Sequence, residues 1–180
     1  MRVTALFSLC LAAFPVFCAA PAFEVVSSVP QATAISRAGT RDAAAVWLEM
    51  IQGARHSLAI AEFYLSGKKG EALDPVIAAV LAAGRRGVRV RVLCEQAMAG
   101  TYPETLARFR GRLGIAISLF DWRQLTGGVL HAKYFVVDDR EAYIGSQNFD
   151  WRSLSHIQET GLRIRAPHFA RALLRVFDAD

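Results

Sequence analysis

From residue 42 onward the chain switches repeatedly between two spacings of apolar side chains. Residues 42–55 (DAAAVWLEMIQGAR) place them three and four apart, which predicts a helix with Asp42 as its N-cap. Residues 57–65 (SLAIAEFYL) are short and almost wholly apolar, the pattern of a buried strand. An alanine-rich helix is predicted over 74–83, with Pro75 at its first position and Gly84 past its end. Val88, Val90 and Val92 then alternate with Arg89 and Arg91, a strand with one apolar face whose arginines read as the wet side. Further on, the pattern predicts a helix over 103–112 and strands over 115–120, 129–138, 141–145 and 160–165. Asp139-Arg140 is the turn inside that hairpin, and a final helix covers 167–177. Residues 23–41 show no clear period and read as an extended lead-in. Strands alternating with helices, then a hairpin, predict an α/β fold: a mixed, mostly parallel sheet with helices on both faces.

The N-terminal pattern is of another kind. Met1-Arg2 is a short basic start, residues 3–18 are almost continuously apolar, and Ala20-Pro21-Ala22 supplies small residues at the end. That is the layout of a secretory signal peptide cut after Ala22, and it predicts an exported protein, periplasmic or secreted. The expected organisation is therefore a leader over 1–22, a lead-in over 23–41 and one domain over 42–180. Removing the leader takes away Cys10 and Cys18 and leaves Cys94, so no internal disulfide is possible. It also takes away one charge, Arg2, which lowers the net charge from +5 to +4. With 53% hydrophobic and 21% charged residues the chain is globular, not disordered. A pI near 9.5 favours anionic partners, nucleic acid or a phospholipid surface.

The segment HAKYFVVDDREAYIGSQN, residues 131–148, needs more than burial to explain it. In a regular strand His131, Lys133, Phe135 and Val137 share one face, so an imidazole and an ammonium project together beside the Gly127-Gly128 loop. A fixed positive charge next to a histidine disfavours a metal ion and suits a phosphate. Lysine neutralises phosphoryl oxygens, and histidine attacks phosphorus or passes a proton near neutral pH. Gly145 permits a sharp turn, after which Ser146 and Asn148 aim a hydroxyl and an amide at the same oxygens. A serine-hydrolase elbow is excluded, because it needs glycine two residues after the serine and Asn148 stands there. Asp138 lies seven residues beyond His131 and faces away from it, which suits a supporting role.

Taken together, His131, Lys133 and Asp138, followed by Gly145, Ser146 and Asn148, resemble the HKD motif of the phospholipase D superfamily. The resemblance extends from the helix near Trp47 to the end of the chain. It includes Ile60-Ala61-Glu62-Phe63-Tyr64, which is similar to the family's first core strand. It implies that His131 is the nucleophile forming a covalent phosphohistidine, or the acid that protonates the leaving oxygen. Lys133 and Asn148 would hold the phosphate with Ser146 assisting, Asp138 would belong to the catalytic set in a supporting role, and Glu159 would orient the histidine ring. Neither a metal nor any other cofactor is implied.

Asp150-Trp151-Arg152-Ser153 is similar to the corresponding segment of cardiolipin synthases and eukaryotic-type phospholipase D-like proteins. That implies a metal-independent phosphodiesterase acting on phospholipid head groups, by hydrolysis or phosphatidyl transfer. The basic balance keeps a secreted nuclease with the same chemistry as an alternative, its substrate single-stranded nucleic acid. A non-catalytic half-site that binds anionic lipid or nucleic acid is the third reading. Lys68-Lys69, after the first core strand, are candidates for substrate contact, and Trp122 for base stacking, a lipid surface or core packing. The family builds its site from two motifs, whereas His56, His156 and His168 are not followed by lysine two residues on. The second motif is expected from a homodimer partner, favoured by overall size and the leader, or from a missing second half, favoured by a helix that runs to Asp180.

Overall fold

The computed structural model describes residues 22–37 and 39–180, so the predicted leader, with Cys10 and Cys18, lies outside the described residues except for Ala22. The chain opens with β1 (Phe23–Ser28) and the short β2 (Arg41–Asp42), then α1 (Ala43–Gly53), β3 (Ser57–Glu62), β4 (Leu65–Ser66), α2 (Leu73–Arg85) and β5 (Arg89–Glu95). Two short helices, α3 (Gln96–Ala99) and α4 (Pro103–Phe109), lead to β6 (Ile115–Phe120) and α5 (Trp122–Thr126). The hairpin β7 (Lys133–Val137) and β8 (Glu141–Gly145) is followed by β9 (Phe149–Asp150), α6 (Trp151–Ser155), β10 (Glu159–Ile164) and α7 (Pro167–Ala179).

Eight strands form one mixed sheet in the order β2-β1-β10-β8-β7-β3-β5-β6. Side chains of α1 and α2 pack on one face and those of α7 on the other, as an α/β fold with helices on both faces requires. The sheet is less parallel than its sequence suggests. Four neighbouring pairs run antiparallel (β1-β10, β10-β8, β8-β7, β7-β3) and three parallel (β2-β1, β3-β5, β5-β6). Much of that difference comes from the lead-in, where residues 23–28 are a full strand held in register against β10. Its alternation is hard to read because Phe23 and Val25 stay exposed, 59% and 52%, on the side away from the main core.

Local chemistry accounts for the elements. The Asp42 carboxylate accepts the Ala45 N–H at 3.0 Å and caps α1. Helix α2 runs through Gly84 instead of stopping there: a Cβ at Gly84 would lie 2.4 Å from the Leu113 carbonyl oxygen, so glycine serves close packing. The stop is Gly87, at φ +91°, where the Gly87 N–H donates to the Gly84 carbonyl and the Val88 N–H to the Ala83 carbonyl. The Arg86 guanidinium donates to the carbonyls of Ile51, Gln52 and Ala54 at the end of α1, and Arg91 pairs with Asp178 at 2.6 Å. This arginine cluster therefore braces the fold.

The core is anchored where it matters for the motif. Trp47 of α1 is fully buried, stacks on Phe149 at 5.5 Å and meets Phe135 and Tyr143 edge-on at 5.7 and 5.1 Å. One indole thus ties the first helix to β7, β8 and β9. Truncating it to alanine costs about 3–5 kcal/mol. Cys94 is a free thiol buried in the same core.

Candidate active site

Every residue of the motif except Asp138 collects at one end of the sheet, where β3 and β5 finish and β7 begins. Strand β7 starts at Lys133, which pairs with Glu62, and not at residue 129. Beyond Glu62 the Phe63 N–H still reaches across, donating to the Ala132 carbonyl at 2.9 Å. His131 therefore sits in the segment leading into the strand. It still meets Lys133: its Nε2 is 3.0 Å from the lysine Nζ. An ammonium can only donate, so Nε2 accepts and the ring hydrogen belongs on Nδ1. The ring of Phe63 stands edge-on to the imidazole at 4.5 Å. The buried Glu95 carboxylate pins the approach, accepting the Leu130 N–H at 2.6 Å and the Ala97 N–H at 3.2 Å.

These surroundings tune both bases. Partial burial and the Lys133 charge hold the His131 imidazole below its ordinary value of 6.5, so it is neutral at neutral pH. Burial lowers Lys133 as well, against the pull of the Glu62 and Glu159 carboxyls.

The turn after β8 sorts its side chains by alternation. Gln147 points inward, fully buried, and accepts the Tyr143 hydroxyl at 2.6 Å. Ser146 consequently turns outward, and Asn148 lies between the two, with its Oδ1 buried. Gly145 allows this, since a Cβ there would fall 2.5 Å from Gln147 Oε1 and 2.9 Å from Gly161 Cα. Ser146, however, is already engaged: its hydroxyl donates to the Thr160 carbonyl at 3.3 Å and accepts the Thr160 N–H at 3.2 Å. It latches β8 to β10, and the phosphate-binding role inferred for it does not match that engagement. Asn148 is half-buried, and its Oδ1 has no partner among the described residues.

Two further members of the inferred set are placed differently. Glu159 opens β10 and is half-buried. Burial raises its carboxyl above the ordinary range, with the Ser153 hydroxyl and Lys133 working the other way. Among the described residues nothing joins it to the His131 imidazole, whose neighbours are Phe63 and Lys133. Glu159 flanks the lysine; the ring-orienting contact is not formed. Asp138 lies at the opposite end of β7. Its carboxylate accepts the backbone N–H groups of Arg55, His56 and Ser57 at 2.8, 2.7 and 2.8 Å, which fixes the α1–β3 connection. A strand's length from His131, it stands away from any phosphate held there, and its bonds to the α1–β3 connection fit the supporting role expected of it. The turn itself takes in Asp138 as well as the predicted Asp139-Arg140, with Asp138 and Asp139 at φ +52° and +56°.

Comparison with known proteins decides the family. Residues 47–180 match the family described as cardiolipin synthase, PLD-like domain. The chain belongs to the phospholipase D family. Phospholipase D Z of Dictyostelium discoideum is 34% identical over 156 residues, covering 81% of this chain and 36% of that protein. The 5'-3' exonuclease PLD3 of Bos taurus is 32% identical over 170 residues, covering 86% of this chain and 34% of that protein. The chain thus spans about a third of the length of these relatives. Its fold is similar to that of the phospholipase D family member Nuc from Salmonella typhimurium, with a TM-score of 0.68 at 20% identity over 87% of this chain and 91% of that one.

The Asp150–Ser153 segment of the chain is a locked helix start. Asp150 is buried, accepts the Arg152 N–H at 2.6 Å, and takes two guanidinium bonds from the same residue at 3.0 and 2.6 Å. Arg152 then lies over the rings of Tyr102 and Trp151, at 5.6 and 5.4 Å, and Lys68 lies over Trp151 at 4.2 Å. Tyr102 stacks on Tyr64 at 4.8 Å, and Tyr64 meets Phe63, the ring beside His131. Lys68 also pairs with Glu71 at 3.4 Å, while Lys69 is simply exposed. Trp122 packs against the second core, next to Phe120. Glu62 and Glu95 escape a motif reading. The available signal was a lone acid closing each of two apolar strands, SLAIAE and RVRVLCE, which the fold makes parallel neighbours.

Proposed function

We propose that the chain is a phosphodiesterase of phospholipase D type, working without a metal through a phosphohistidine on phospholipid head groups, by hydrolysis or phosphatidyl transfer. The observation that carries the chemistry is a neutral imidazole 3.0 Å from an ammonium on an open sheet end. On binding, Lys133 shifts its donor from His131 Nε2 to a phosphoryl oxygen and frees the ring lone pair. Nε2 attacks phosphorus, the bond to the leaving oxygen breaks, and a second histidine supplies that oxygen's proton. That histidine then takes a proton from water or an acceptor alcohol, whose oxygen displaces Nε2 and restores His131. The second histidine comes from another copy of the chain or from a second motif in a longer protein. The ammonium beside the imidazole repels a cation, which supports metal-independent chemistry. Relatives named phospholipase D support the lipid substrate. Export through the apolar leader belongs to the same proposal, and N-terminal sequencing of secreted protein should begin at Phe23.

A second reading, cleavage of single-stranded nucleic acid, is favoured by the aromatic and cationic strip from Phe63 to Trp151 described above, because bases stack on such rings and phosphates follow such cations. The test is the full chain in EDTA, given phosphatidylglycerol vesicles or a labelled single-stranded oligonucleotide. Head-group release with an acid-labile phosphoprotein intermediate supports the lipid reading, and shortening of the oligonucleotide alone supports the nuclease. Binding without turnover of either would leave the non-catalytic half-site, and activity surviving His131→Asn would reject the phosphohistidine.

A further inference from the structure

Glu62 is the last residue of β3 and only 1% exposed. It pairs with Lys133 on one side and with Cys94 on the other. Its Oε2 accepts the backbone N–H of Phe149 at 3.1 Å, across 87 residues of sequence. The next residue, Phe63, bonds the Ala132 carbonyl and rests its ring against His131. The end of one strand thus touches both halves of the motif: the segment holding His131 and Lys133, and the turn holding Asn148.

We infer that Glu62 is a positioning residue: through the Phe149 amide its carboxyl sets the peptide that follows Asn148, and so holds the amide side chain in register with Lys133 and His131. This rests on the function proposed above. Phe149 is fastened elsewhere, its ring stacked on Trp47 and its backbone paired with Leu65. Those contacts fix where the residue lies, while the bond to Glu62 acts on the peptide plane that joins it to Asn148. An aliphatic side chain would fill the site at lower desolvation cost, since a buried carboxyl is unfavourable unless its hydrogen bonds compensate. It would also leave the buried Phe149 N–H without its acceptor. Burial pushes the Glu62 carboxyl well above the ordinary range, with the Phe149 amide and Lys133 pulling the other way and Glu159 adding to the rise. What the Phe149 amide needs from this position is an acceptor oxygen, which glutamine can supply and leucine cannot.

The experiment compares the full chain with E62Q and E62L in three readouts: amide hydrogen exchange at Phe149, affinity for inorganic phosphate, and turnover of bis(p-nitrophenyl) phosphate. E62L is expected to exchange the Phe149 amide faster by about tenfold or more and to lose about 10- to 100-fold in phosphate affinity and kcat, the effect of a misplaced binding group. E62Q is expected to stay within a few-fold of the wild type in all three. An E62L protein with wild-type exchange and phosphate affinity overturns the inference, and so does E62Q impaired as far as E62L. Should E62L not fold, the Phe149 amide shift decides. It should follow the titration of Glu62 in the wild type and lose that response in E62Q, and a wild-type shift indifferent to pH overturns the inference. Wild-type protein that binds phosphate but turns nothing over refutes the proposed function, and exchange and phosphate affinity still judge Glu62.

Discussion

At the start of β7, His131 and Lys133 face each other at 3.0 Å on an open sheet end, where burial and the lysine charge lower the imidazole's tendency to take a proton and burial lowers that of the lysine. At the far end of the same strand, Asp138 has both carboxylate oxygens engaged by three backbone N–H groups. One end keeps its hydrogen-bonding capacity available to a ligand, and the other commits it to the chain. The motif's residues are close in sequence, but the strand between them separates chemistry from architecture. The same contrast divides the turn after β8, where Gln147 and the Ser146 hydroxyl bind the protein and the half-buried Asn148 has an Oδ1 without a partner among the described residues.

Substitution at the two ends should break this pairing in opposite ways. His131→Asn is expected to reduce phosphodiester turnover by about 10³-fold or more, as loss of a nucleophile does, with thermal unfolding nearly unchanged. A melt lowered as far as the rate would place His131 with the architecture.

Asp138→Ala should do the reverse. Three amides lose a charged acceptor, and stability is expected to fall by about 1–3 kcal/mol, nearer the lower figure because the site is partly open to solvent. Activity per folded molecule should be retained, checked by denaturant unfolding alongside active-site-normalised rates. Burial works against the Asp138 carboxylate, but the amides of Ser57, His56 and Arg55 outweigh it and hold its pKa below 3.8. Its contribution is therefore complete above the unfolded value near 3.8 and is lost as pH falls through the lower folded value. In Asp138→Ala this acid-limb loss should be flatter than in the wild type.

Lys133→Met should sharpen the account of the chemical end. Removing the neighbouring charge leaves only burial to depress the imidazole, so the His131 pKa should rise toward 6.5 without passing it. Titration of the His131 ring proton by NMR measures this directly. An unmoved pKa would mean that the two groups are not coupled. In the wild type, the acid limb of turnover should lie below 6.5, since the nucleophile must be neutral.

Ser146→Ala is expected to have the smallest effect. The hydroxyl's bonds to Thr160 are worth about 0.5–1.5 kcal/mol, and turnover should change by no more than a few-fold. A hundredfold fall in kcat would return Ser146 to the phosphate.

Strands β3, β5 and β6 and helices α1, α2 and α7 were legible because burial imposes a period that the residues carry themselves. β1 was not, because its exposed Phe23 and Val25 blur the alternation and its partner β10 lies more than a hundred residues away. Gly84 misled for a related reason. Glycine marks helix ends and close contacts alike, and only the approach of Leu113 separates the two.

The sequence by itself determined the α/β class, the His131–Lys133 pairing and the family. These depend on spacing along one segment, and local geometry converts spacing into position. Only the tertiary structure decided that Asp138 braces the α1–β3 connection, that Ser146 latches two strands, and that Glu62 and Glu95 meet the motif from neighbouring strands. Each of those is a hydrogen bond to a backbone group distant in sequence. Every residue but proline presents the same amide, so no side-chain pattern marks its partner.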